Sequence, residues 1–76
     1  MPNPQMREVL LRELRTHRVS VDRLAAYLLV MTDTNAPCPH CYLQGSVVML
    51  AISSPVDGTE RGICGRCGAV FIWIAH

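Results

Sequence analysis

The chemistry available to this chain is concentrated in two Cys-x-x-Cys pairs. Cys38 and Cys41 frame "CPHC", Cys64 and Cys67 frame "CGRC", and the whole spacing is C-x2-C-x22-C-x2-C. Thiolates at such spacing can exchange electrons as a dithiol, close disulfides or ligate a metal ion. A Cys-x-x-Cys turn places two sulfurs on one side of the chain, with backbone amides aimed at them. Two such turns complete a four-sulfur tetrahedron. That ligand set leaves no coordination position open, so a metal held by it is structural rather than catalytic.

Cys-Pro-His-Cys resembles the active-site tetrapeptide of the periplasmic disulfide oxidases, where it opens a helix that depresses the first thiol's pKa. Here "YLQGSVVML" follows, with Gly45 and two valines where that helix would run, and a second pair stands ready as the other knuckle. The chain is also too short for a complete thioredoxin-like fold. The full pattern resembles the zinc-ribbon superfamily over roughly residues 36 to 76. That resemblance implies that Cys38, Cys41, Cys64 and Cys67 hold one Zn2+. Two knuckles at the ends of a hairpin would place it about 2.3 Å from each sulfur. The gap between the pairs slightly exceeds the usual ~15–20 residues, which predicts a longer hairpin loop. Zinc ribbons often carry a Gly after a knuckle; Gly68 matches and Tyr42 departs. The knuckles also resemble those of rubredoxins, and four thiolates suit iron equally in geometry. Rubredoxins are acidic and richer in aromatic residues than this chain, which favours zinc and leaves iron as the alternative.

Seventy-six residues make one small domain whose hydrophobic core alone supplies only a few kcal/mol, so a staple is expected. "MPNPQMREVL" lacks the basic region and long apolar run of a signal peptide. "LAAYLLVM" and "AVFIWIA" are far short of the roughly 20 residues that span a bilayer. A cytoplasmic location is the resulting expectation, and there paired cysteines read as metal or redox sites rather than structural disulfides. Net charge is +1, and all seven basic residues are Arg. A dedicated nucleic-acid binder would be more basic.

The elements that must position the cysteines follow from periodicity. Asn3-Pro4 reads as a cap and first position of a helix on which Met6, Val9, Leu10 and Leu14 share a face. Ser20 reads as the N-cap of a second helix, with Val19 and Leu24 as its hydrophobic staple. Val21, Leu24, Tyr27, Leu28 and Met31 form the main apolar face of this helix, and Leu29 and Val30 extend it, so burial nearly all round is expected. "SVVMLAIS" and "AVFIWIA" read as strands, with "SSPVDGTERG" as the turn between them. The fold class is α+β: a helical segment over 1–35, then a small antiparallel zinc ribbon over 36–76, packed as one domain.

His40 reads as a solvated residue on the outer face of the first knuckle, His17 as a surface group at a helix end, and His76 as an exposed terminus. No catalytic constellation stands among the acids and histidines, so no enzyme and no small-molecule substrate are expected. "LLRELRTHRVSVDRLAAYLLV" resembles the first two helices of helix-turn-helix regulators, but "MTDTNAPCPHC" replaces the recognition helix. Two function classes remain. One is an interaction module that docks on another protein or on itself. For a homodimer, Leu28, Val30, Val70, Ile72 and Ile74 are the candidate contacts, because strands without polar alternation need cover on both faces. The other is a nucleic-acid-binding ribbon, with Arg61 and Arg66 contacting phosphate and Phe71 and Trp73 stacking on bases, against a stronger core reading for the two aromatics.

Overall fold

The structure, a computed structural model, describes residues 4–32, 35–53 and 55–75. The proposed cap Asn3 and the terminal His76 lie outside the described residues. Helix α1 spans Pro4–Thr16 and buries Met6, Leu10, Leu11 and Leu14. Full burial of a leucine such as Leu10 or Leu14 stabilises by about 1.5–3 kcal/mol, which orients this helix firmly. Two residues past the helix end, Arg18 has a φ of 57° and turns the chain left-handed. The Arg18 amide donates to the Arg15 carbonyl and the Val19 amide to the Leu14 carbonyl, the pair of bonds that closes a Schellman motif.

Helix α2 spans Val21–Val30, and the Ser20 hydroxyl accepts from the Arg23 amide as its N-cap. Val19 and Leu24 both pack against the core, as a staple requires. The expectation of burial all round fails. Among the described residues of α2 only Tyr27 is buried, and Leu29 is 87 % exposed. The reason is geometric: this helix meets the rest of the chain along one edge, through side chains that reach the first knuckle.

Three antiparallel strands follow in the order β1 (Ala51–Ile52), β2 (Thr59–Ile63) and β3 (Val70–Ile74). Two expectations are corrected here. The long first strand shrinks to two residues, with an isolated bridge pairing Pro37 and Met49 before it. "TERG", the end of the expected turn, instead forms the central strand together with Ile63, paired to β1 through Ala51–Ile63 and to β3 through Gly62–Phe71 and Arg61–Ile72. The turn is shorter than expected. Asp57 and Gly58 both have positive φ, at 53° and 77°, so they form a two-residue hairpin loop of the I′ kind between Val56 and Thr59.

The last strand has no polar alternation in sequence but alternates in burial: Phe71 and Trp73 face inward onto α1, and Val70, Ile72 and Ile74 face outward. Cover on both faces is therefore not provided within the chain. Val70, Ile72 and Ile74 remain 51 %, 55 % and 62 % exposed. The core lies between α1 and the inner sheet face, and it runs continuously into Cys38, Cys41 and Cys64. No helix among the described residues is long and apolar enough to cross a membrane.

Candidate metal centre

The first knuckle begins where Cys38 caps a five-residue helix, α3, spanning Pro39–Leu43 with Pro39 in its first turn. A tetrapeptide read as opening no helix thus opens one, limited to little more than a turn. Gly45 does not prevent that helix; it ends it. With φ at 88°, Gly45 sits just past the cap, its amide donating to the Tyr42 carbonyl and the Ser46 amide to the Cys41 carbonyl. The second knuckle is a turn closed by the Gly68 amide on the Cys64 carbonyl and by the Cys64 amide on the Ala69 carbonyl. Gly68 takes the left-handed conformation, φ 78°, that the turn needs.

These two turns bring the four sulfurs together. Cys38 Sγ lies 3.5 Å from Cys67 Sγ, and Cys41 Sγ lies 3.6 Å from Cys64 Sγ. All four ligand atoms fall within 4.8 Å of one another. A tetrahedron with metal–sulfur bonds of about 2.3 Å has sulfur–sulfur edges of about 3.8 Å, so the donor set fits a metal ion with small adjustments. Cys38, Cys41 and Cys64 are buried, and Cys67 is exposed.

Electrostatics of the metal-free thiols give the same picture. Burial pushes the Cys38 thiol up to about 12, opposed in part by the Cys41 amide. Burial also raises Cys41, with the Cys64 sulfur as the next cause. Cys64 is lowered, to about 6, chiefly by the Cys67 amide, which lies 3.5 Å from its sulfur. The chain can therefore stabilise one thiolate by itself. Several thiolates this close need a cation between them.

Side chains from α2 hold the first knuckle in place. The Tyr27 hydroxyl donates to the Pro37 carbonyl at 2.5 Å, next to Cys38. Arg23 donates to the Tyr42 carbonyl at 2.8 Å, and the Tyr42 hydroxyl donates back to the Arg23 carbonyl at 2.9 Å. The Arg23 guanidinium also lies 5.3 Å over the Tyr42 ring, and the Tyr27 and Tyr42 rings meet edge to face at 5.0 Å. Tyr42, the departure from the usual glycine, is thus a docking point for α2. The helix-turn-helix resemblance ends here, since the third helical element is a ligand turn.

The remaining candidate residues are placed as follows. Arg61 and Arg66 are exposed, one on the outer face of β2 and one inside the second knuckle turn. Phe71 and Trp73 are buried, so the stacking role is not open to them and the core reading stands. Val70, Ile72 and Ile74 share the outer face of the sheet, while Leu28 and Val30 are exposed on α2.

His40 is not simply solvated. Its Nε2 lies 2.7 Å from Glu13 Oε1, and its ring stands edge-on to Phe71 at 5.4 Å. His17 Nε2 approaches the same carboxylate oxygen at 3.7 Å. The spacing of Glu13 and His17, one turn apart on a helix, was the available sequence signal for this trio. What it lacked was the way α1 lies against the knuckle. In comparisons with known proteins, no family model, no curated protein and no solved structure matches this chain, so the metal centre stands on its four converging sulfurs alone.

Proposed function

We propose that this chain is a non-enzymatic zinc-binding interaction module, a small regulator or adaptor that acts through contacts with another protein or with a second copy of itself. One observation carries the reading: four cysteine sulfurs from two separate turns converge within 4.8 Å. A closed four-thiolate set favours a structural ion, and zinc over iron follows from the near-neutral charge and the few aromatic residues. Metal binding in such domains is worth on the order of 10 kcal/mol, more than a core of this size supplies. The interaction role is supported by the outward row of Val70, Ile72 and Ile74, with Ile63 beside them in register, and by the uncovered side of α2.

Elemental analysis of purified protein after dialysis tests the metal. One retained zinc per chain is expected, with loss of the ribbon's circular dichroism on chelation; absence of both zinc and iron would sink the reading. Sedimentation of the zinc-loaded chain tests self-association, and a monomer at high micromolar concentration directs the exposed faces to a different protein. The alternative, a nucleic-acid-binding ribbon involved in transcription or replication, rests on the exposed Arg61 and Arg66 without aromatic support. Absence of binding to DNA or RNA at low salt removes it.

A further inference from the structure

We infer that Glu13, His17 and His40 form a second metal site, distinct from the four sulfurs, that takes an exchangeable divalent ion of the zinc type. Two imidazoles and one carboxylate form a donor set that binds zinc or iron(II) while leaving coordination positions open. Their ligand atoms already lie within 4.8 Å of one another. Donors about 2.0–2.2 Å from one ion stand roughly 2.9–3.6 Å apart in octahedral or tetrahedral geometry. Glu13 Oε1 lies 2.7 Å from His40 Nε2 and 3.7 Å from His17 Nε2, each within a few tenths of an ångström of that range. A simple Glu13–His40 hydrogen bond explains the first distance. The i,i+4 spacing brings His17 Nε2 toward the same carboxylate oxygen, so both imidazoles converge on one acceptor.

Positions are set by the fold. Glu13 lies in the last turn of α1, and His17 follows one turn later, between the helix end at Thr16 and the left-handed Arg18. His40 is held by the knuckle turn and by its contact with Phe71, and it meets His17 edge to face at 6.2 Å. On their open side the three residues line a cavity of about 450 Å3 with Leu43, Gln44 and Cys67. Solvent therefore reaches the unfilled coordination positions, which makes the ion exchangeable where the buried sulfurs hold theirs. On the reading that the four thiolates hold one Zn2+, that centre carries a net charge of −2. Cys67 brings this charge to the wall of the same cavity and adds attraction for a cation. This electrostatic argument rests on that reading; the donor geometry does not.

The test uses Zn2+ itself on the full, tag-free chain. Equilibrium dialysis against micromolar Zn2+ is expected to show two equivalents bound, falling to one after dialysis into metal-free buffer. The imidazole proton resonances of His17 and His40 should shift as the second equivalent binds. Glu13→Gln, which keeps a hydrogen-bonding partner for His40, and His17→Ala, at an exposed position, should each remove the second equivalent and leave the tightly held one, with unchanged circular dichroism. Absence of an exchangeable equivalent from the unmodified chain, or its survival in either variant, would overturn the inference. If the exchangeable ion binds while no tightly held one is found, the second site stands and the four-thiolate reading falls.

Discussion

Gly62 offers the sharpest test of the packing that supports the metal centre. It lies on the inner face of β2, opposite Phe71, and is buried. A Cβ at this position would lie 2.8 Å from Trp73 Cη2, and 3.2 Å from both Trp73 Cζ3 and Leu50 Cδ1. Ordinary contact begins near 3.4 Å, so the indole would have to retreat by roughly half an ångström or more. It is poorly placed to do so: Trp73 is 3 % exposed, and its N–H donates to Glu60 at 3.0 Å. Overpacking of this kind costs about 1–3 kcal/mol. The stiffer unfolded chain of an alanine variant returns about 0.4–1 kcal/mol. Central values of about 2 and about 0.7 kcal/mol leave a net cost of about 1.3 kcal/mol for Gly62→Ala in the metal-loaded chain, and at about 4–8 °C per kcal/mol its Tm should fall by about 5–10 °C. Thermal unfolding followed by circular dichroism, and by the emission of the single tryptophan, measures this directly. Gly65→Ala is the control, because a Cβ there meets nothing within 4 Å and its φ is not positive; it should stay within about 0.5 kcal/mol of the parent. An unchanged or raised Tm for Gly62→Ala would refute the stacking of Trp73 across this strand.

Two further perturbations probe the centre. Tyr27→Phe leaves the Pro37 carbonyl without its donor and should cost about 1–3 kcal/mol in denaturant unfolding, with a weakened hold on Cys38; an unchanged midpoint would show that the bond contributes nothing. Burial raises the Tyr27 phenol, so its contribution is fully present below the ordinary tyrosine value near 10 and is lost as pH rises further. The Phe variant should flatten that alkaline decline. In the metal-free chain Cys38 and Cys41 keep their protons at neutral pH, so metal binding releases at least two protons and apparent affinity should fall about 100-fold per pH unit on acidification. Chelator competition across neutral pH with a flat response would contradict it.

Much of the centre was legible because its determinants are local. The Cys-x-x-Cys spacing specifies two turns, Gly68 marks one of them, and Ser20 marks the start of α2. What escaped depended on partners distant in sequence. "TERG" looks like a turn because Glu60 is polar and Gly62 has no side chain, yet one bonds the Trp73 indole and the other makes room for its ring. β3 looked buried on both sides because its outward residues are as apolar as its inward ones, and only the position of α1 tells them apart. Gly45 in sequence looks like a residue that forbids a helix, whereas in the fold it ends one. His40 looked solvated because neither Glu13 nor Phe71 is near it in sequence.

The tight loop at Asp57 and Gly58 has a kinetic consequence. Joining the two cysteine pairs in one step would close a long, floppy loop, and such closures slow folding more than they weaken the product. A two-residue turn replaces that single step with a short zipper. Val56 is expected to meet Thr59 first, with pairing then running outward until Ala51 lies against Ile63, one residue before Cys64. The next bonds, from the Leu50 amide to the Ala36 carbonyl and from the Cys38 amide to the Val48 carbonyl, draw the other knuckle alongside. Each step restricts only a few more residues than the last. The cation is thus expected to arrive late, at jaws already hinged, so that the rate-limiting event of assembly should be insensitive to metal concentration while the lifetime of the folded chain depends on it strongly.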